Sequence, residues 1–271
     1  MKSLIHTEWL KIRNYRAFWW LILITALSYP GISYIFYSIF KNISHAKGEI
    51  NSVATMLIGN PFSFPEAWHT IAYLTSLFVF IPAVLVIMFI SNEYTFKTHR
   101  QNIIDGWSRA QFMTAKLIDV IIISLIVTVM MTLISLVVGL LNTDDLGSNI
   151  FSMMYYVVLF ALQTFSQLTI AFLVGFLVRK AFISLGIFIF YYIILEPIAA
   201  KVIDRYLFSL GRFLPLEISN KMIPVPAFIG KFGAEAYQNA LDHVPVHIGL
   251  TLVLTTLLWM LCYRINDKRD L

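Results

Sequence analysis

The chain has 271 residues, 59% of them hydrophobic and 13% charged, with a formal charge of +5 at neutral pH and one cysteine, Cys262. A soluble domain of this length cannot hide so large an apolar fraction, disorder needs the opposite balance, and a lone cysteine excludes an internal disulfide framework or a Cys-rich metal site. The basic residues lie in short tufts between long apolar runs, which argues against a nucleic-acid-binding surface and for an all-α integral membrane protein. In chain order, Ile5, Trp9 and Ile12 fall at i, i+4 and i+7, with Glu8, Lys11, Arg13 and Arg16 around them. This spacing predicts an amphipathic N-terminal helix lying along anionic headgroups.

Six stretches then reach the length of about 20 residues that a membrane helix needs: 18–40, 71–91, 118–141, 151–178, 181–200 and 246–263. The first exceeds the apolar core of a secretory signal and is followed by no small-x-small cleavage site, so it is read as a retained span. Pro30-Gly31 and Pro82 are expected to interrupt the first and second spans. The runs show no period-2 alternation, which excludes a β-barrel. Residues 1–271 therefore read as one domain, a six-transmembrane-helix bundle. Thirteen of the 20 Lys and Arg residues lie in segments 1–17, 92–116, 179–180 and 264–271, and seven lie in the longer segments 41–70, 142–149 and 201–245. The excess of basic residues marks the first set, and with it both termini, as cytosolic. The external segment 201–245 is long and apolar, with Leu207, Phe208, Leu210, Phe213, Leu214 and Leu216 followed by Ile223-Pro224-Val225-Pro226. One or two short helices lying in, or dipping into, the outer leaflet are expected there.

Between the second and third spans, Thr95 or Thr98 is placed to cap a short helix that ends at Gly106, and Ser108-Arg109-Ala110-Gln111 has the spacing of a capping box. A short cytosolic helix followed by a tight turn suits docking of a cytosolic partner; interfacial anchoring through Trp107 and Phe112 is the competing reading. Within the spans, Asp119 lies three residues from Lys116, a spacing that favours a structural ion pair over a proton-handling role, the competing reading of an intramembrane acid. Gln163, Ser166 and Gln167 share one face of the fourth span, and Ala171 and Gly175 give it a small-residue face. These features read as packing and hydrogen-bonding contacts inside the bundle. No metal site, catalytic constellation or phosphate-binding loop is found; Gly230-Lys231 lacks the upstream Gly and the following hydroxyl.

The run Asn92-Glu93-Tyr94-Thr95-Phe96-Lys97-Thr98-His99-Arg100-Gln101-Asn102, then Gly106-Trp107-Ser108-Arg109-Ala110-Gln111-Phe112 and Lys116, resembles the loop of type-two ABC exporter permeases. Glu8-Trp9-Leu10-Lys11-Ile12-Arg13 resembles the same family's amphipathic N-terminal helix; Lys97 stands where that family often has Gly. The resemblance implies a multi-pass permease of a bacterial cytoplasmic membrane, not itself an enzyme, that pairs with a second permease subunit. A separate cytosolic ATPase would bind ATP and Mg and dock on the 92–116 loop, leaving no cofactor on this chain. It further implies ATPase-coupling roles for Glu93, Thr98, Arg100, Gly106, Ser108, Arg109 and Lys116. The second and fifth spans would line the pathway, with Pro82, Tyr191, Tyr192 and Glu196 as candidates for the pathway or an outer gate. For Glu196 a carboxylate at headgroup level beside Lys201 is the competing reading. An accessory or scaffolding membrane subunit and a secondary transporter are the alternative functions.

Overall fold

A computed structural model of the chain describes residues 8–11, 13–45, 59–144, 149–206, 210–230 and 233–268, with the side chains of 43–45 excepted. Every regular element among the described residues is helical. A helical turn at residues 8–11 leads to α1 (Arg16–His45), α2 (Glu66–Ser76), α3 (Phe80–Thr95), α4 (Thr98–Ile104), α5 (Arg109–Leu141) and α6 (Tyr155–Val178). Then follow α7 (Ala181–Phe190), a π-helical turn (Tyr191–Leu195), α8 (Glu196–Tyr206), a 3₁₀ turn (Leu210–Phe213), α9 (Pro215–Asn220), α10 (Ala227–Gly230) and α11 (Ala234–Lys268).

Five helices are long and apolar enough to cross a membrane, or six if α2 and α3, bent by 49°, form one span. That bend falls at residues 77–79, ahead of Pro82, and not at the proline as the sequence predicted. Pro82 is the third residue of α3, where its missing N–H has no intrahelical partner to lose. Nor does Pro30 interrupt α1, which runs through it as one helix; a single lost backbone bond is tolerated in a long apolar helix. Helices α5 and α11, which carry the third and sixth apolar stretches, start earlier than those stretches, at Arg109 and Ala234. Hydropathy marks the hydrocarbon-crossing part of a helix, whereas capping and local spacing decide where it begins.

Helix α6 is the centre of the bundle and packs against α2, α3, α5, α7, α9 and α11. Its approach to α3 depends on Gly175, where a Cβ would lie 2.5 Å from Ile90 Cγ2 and 3.3 Å from the Ile87 Cα. Such proximity to backbone cannot be relieved by turning a side chain, so the small residue sets the interhelical distance. Across the bundle, Trp259 stacks on Phe172 with ring centroids 4.9 Å apart and donates its indole N–H to Thr169 Oγ1 at 3.0 Å.

Segments assigned to one side by basic-residue density meet at one end of the bundle. There Lys116 reaches Glu8, Arg109 reaches the carbonyl of Asp267, and the Arg179 guanidinium lies 4.7 Å above the Tyr94 ring. At the other end, Thr143 accepts the Phe64 N–H, His69 bonds the Pro224 carbonyl oxygen at 2.8 Å, and Gln163 donates to Asn220. Helix α9, with Leu216, Ile218 and Ser219 buried, is held by Gln163 and Gln167 of α6. These two residues lie roughly 12 and 18 Å along α6 from its first residue, at 1.5 Å per residue.

Candidate functional site

The loop joining α3 to α5 is built from two tight reversals. At the first, Lys97 adopts φ 56°, ψ 20°, the left-handed conformation, and α4 begins at the next residue. A non-glycine side chain there carries a steric cost of about 1–2 kcal/mol. Neither Thr95 nor Thr98 caps α4, contrary to the sequence reading: Thr95 Oγ1 donates to the Ser91 carbonyl, and Thr98 Oγ1 to Glu93 Oε2 at 3.0 Å. The hydroxyl is drawn to the carboxylate because a charge-assisted bond outweighs a neutral cap. The second reversal is at Gly106, φ 98°. Ser108 then forms a complete capping box, accepting from the Gln111 N–H at 3.1 Å while its own N–H donates to Gln111 Oε1 at 2.8 Å.

Beneath this loop lies a cluster of five charges. Lys116 Nζ, in the second turn of α5, contacts Glu8 Oε2 at 2.5 Å, Glu93 Oε1 at 2.9 Å and Asp119 Oδ2 at 3.1 Å. Lys11 Nζ contacts Glu8 Oε1 at 2.9 Å and Glu93 Oε1 at 3.0 Å. The side chains of Glu8, Glu93, Lys116 and Asp119 are 4–7% exposed, that of Lys11 30%. Three carboxylates thus face two ammonium groups, and Asp119 Oδ1 is buried with no hydrogen-bond partner among the described residues. Burial alone raises the pKa of the Glu8 carboxyl, but the nearby Lys116 and Lys11 ammonium groups outweigh it and hold the group below the usual carboxylate range. Lys11 also lies 5.8 Å from the Trp107 ring centroid and Lys116 5.7 Å from that of Phe112. The cluster therefore joins the N-terminal turn, the end of α3, the start of α4 and the start of α5 in one low-dielectric knot.

Of the residues that the sequence singled out around the loop, Glu93, Thr98 and Lys116 come together here, joined by Glu8 and Lys11 from the N-terminal segment. Arg109 does not join them. Its Nη1 donates to the Asp267 and Asn266 carbonyls at 2.5 and 3.4 Å, and Asn266 Nδ2 returns a bond to the Arg109 carbonyl at 2.9 Å. A guanidinium at the C-terminal end of α11 complements the partial negative charge of those carbonyls. Arg100 is exposed on α4, and Phe96 and Ile104 are 72% and 78% exposed on the loop surface. Trp9 and Arg13 are exposed, while Ile5 lies outside the described residues. Sequence reasoning passed over Tyr94, whose ring lies 4.6 Å from that of His99 and under Arg179, so that the end of α6 braces the loop. A signal for it was present in the basic pair Arg179-Lys180 on the same side of the chain.

At the opposite end, Tyr191 and Tyr192 lie in the π-helical turn and Glu196 directly follows it. Pro197 offers no N–H to the Ile193 carbonyl, and the preceding turn widens into Tyr191–Leu195. Tyr192 donates to Gln167 Oε1 at 3.1 Å. Glu196 is 1% exposed, and its Oε1 accepts the Leu216 and Glu217 N–H groups at 2.6 and 2.9 Å. It therefore caps the N-terminus of α9, a partner that neither reading of Glu196 foresaw. A cavity of about 480 Å³ lies between the α2–α3 bend and this turn, lined in part by Tyr73, Ser76, Phe80, Tyr192, Pro197 and Asn220. Pro82 lies in the first turn of α3, close in sequence to the bend.

The profile of a family described as ABC-2 family transporter protein matches residues 4–195. None of the curated proteins matches the sequence.

Proposed function

The chain belongs to the ABC-2 type transporter permease family, whose members are membrane components partnered by an ABC ATPase; from that premise we propose that it is one of two permease subunits of an exporter in a cytoplasmic membrane. The bent α2–α3 pair counts as one span in this reading, giving six crossings with both chain ends in the cytosol. The grouping of the basic segments at one end of the bundle supports this topology. The ATPase docks on the surface of the 96–107 loop, where Phe96 and Ile104 are exposed. ATP-driven movement of the docked partner displaces α4, and the ionic cluster passes that displacement to α3 and α5 and to the N-terminal turn. A buried, mutually hydrogen-bonded set of charges resists separation, so the elements it joins move together.

The bend between α2 and α3 and the π-helical turn near Glu196 are the points at which the second and fifth spans can flex, and the cavity between them supports a substrate path. Glu196 and α9 shape its outer end. The observation that carries the proposal is the attachment of a surface loop with exposed apolar residues to Lys116, Glu93 and Glu8. Affinity purification from the native host tests it. Wild type should retain an ATPase chain, and Ile104→Asp or Phe96→Asp should lose it without loss of thermal stability. Retention by both variants would place the ATPase elsewhere. A well-folded wild type with no ATPase would favour the scaffolding or secondary-transporter reading.

A further inference from the structure

The N-terminal turn has a second face. Glu8 is buried in the ionic cluster, but the neighbouring Trp9 is 42% exposed, and across the elbow at Tyr15 the rings of Trp19 and Trp20 are 52% and 66% exposed. The elbow is fixed in place: Trp19 Nε1 donates to the Arg13 carbonyl at 3.0 Å, and the Phe18 N–H to the Tyr15 carbonyl at 3.0 Å. The rings of Tyr15 and Phe18 pack on Phe89 of α3 at 5.5 and 6.2 Å. Arg13 and Arg16 flank the elbow on its exposed side. The sequence contains no acidic residue between Glu8 and Glu49, and the ion pairs among described residues leave both arginines without a carboxylate.

Two guanidiniums with no carboxylate partner among the described residues, within a few residues of three exposed indoles at the end of a membrane helix, complement a phosphodiester at the water–hydrocarbon boundary. Guanidinium binds phosphate bidentately, and indole settles at headgroup level. We propose that the elbow at Tyr15 is a binding site for an anionic phospholipid, its phosphate held by Arg13 and Arg16 and its glycerol region flanked by Trp9, Trp19 and Trp20. Placing that lipid in the cytosolic leaflet rests on the orientation given under Proposed function; the binding itself does not. Because the same segment carries Glu8 and Lys11 into the ionic cluster, a headgroup held at the elbow also steadies the seating of the cluster.

The test uses the full chain alone, without an ATPase, so its outcome is independent of the exporter reading. The protein is placed in phosphatidylcholine bilayers containing a matched fraction of brominated phosphatidylglycerol or brominated phosphatidylcholine, and tryptophan quenching gives the relative affinity. Quenching by the anionic lipid should dominate, with about a fivefold contribution from each arginine. The preference should fall towards parity in Arg13→Gln/Arg16→Gln and in wild type at high salt, and should persist in Arg13→Lys/Arg16→Lys. The anionic lipid should also raise the thermal midpoint of wild type more than that of the Gln pair. Equal quenching by the two lipids in wild type, or an unchanged preference in a folded Gln pair, would overturn the assignment. Should the Gln pair fail to fold, a salt-insensitive preference in wild type would do the same.

Discussion

Replacing Lys116 by Met tests the ionic cluster most severely. The side chain is nearly isosteric, so little packing is lost, but three carboxylates at 2.5, 2.9 and 3.1 Å lose their common cation. What remains is Glu8, Glu93 and Asp119 facing the half-buried Lys11, so the formal charge of the group goes from −1 to −2. Removing one partner from a buried ion pair costs roughly 3–5 kcal/mol, most of it the desolvation of the charges left behind. For a chain of this size, roughly 2–4 °C per kcal/mol translates this into a fall of about 6–20 °C in thermal midpoint, read by light-scattering-free fluorimetry in detergent. Proton uptake by the stranded carboxylates relieves the cost, so the deficit should narrow as the pH is lowered. Adding Glu8→Gln should recover part of the loss, and the double-mutant cycle isolates that pair. A Lys116→Met protein that melts within about 2 °C of wild type at neutral pH would refute the idea that the cluster holds these elements together.

Glu8 has a folded-state pKa below its ordinary value, so its contribution is present above the ordinary carboxylate pKa of about 4.3 and lost as the pH falls through the lowered value. The gap in thermal midpoint between wild type and Glu8→Gln should be constant from neutral pH down to about 5 and then close on further acidification; a gap that persists through the whole acid range contradicts this. Lys97→Gly should stabilise the loop by about 0.5–1 kcal/mol, since relief of the left-handed strain exceeds the entropy cost of glycine, and should slow hydrogen exchange in residues 98–104. Faster exchange there would show that the Lys97 side chain contributes more than its backbone strain costs. Glu196→Ala should cost about 1–2 kcal/mol and expose residues 215–220 to proteolysis, whereas Glu196→Gln, which keeps an acceptor, should retain most of the protection. Equal proteolysis of wild type and Glu196→Ala would dissociate the cap from the stability of α9.

The apolar stretches, the reversal at Gly106 and the capping box at Ser108 were legible because each depends on neighbours within a few positions: hydropathy over a helix length, a glycine after a short helix, a hydroxyl three residues before an amide. What escaped is long-range. Glu8 and Lys11 look like surface anchors because an amphipathic spacing gives no sign that a lysine 108 residues away from Glu8 shares its carboxylate. Arg109 sits in a loop rich in charge, but its partners are backbone carbonyls near the other chain end, and carbonyls have no residue identity to read. Glu196 reads either as an outer-gate residue or as a carboxylate at headgroup level, yet its partners are the free N–H groups of a helix 20 residues on, whose start only the tertiary structure fixes. The second span bends at Leu77–Val79 and not at the proline, because Pro82 occupies a helix position that needs no donor.

Site-directed cross-linking from the loop tests the central claim most directly. With Cys262→Ser as background, Ile104→Cys carrying a short photo-cross-linker should capture an ATPase chain in native membranes, and the same probe at Leu141, at the opposite end of α5, should capture none. An ATPase captured from position 141, or none captured from position 104 in a protein that transports normally, would contradict the docking of the ATPase on this loop.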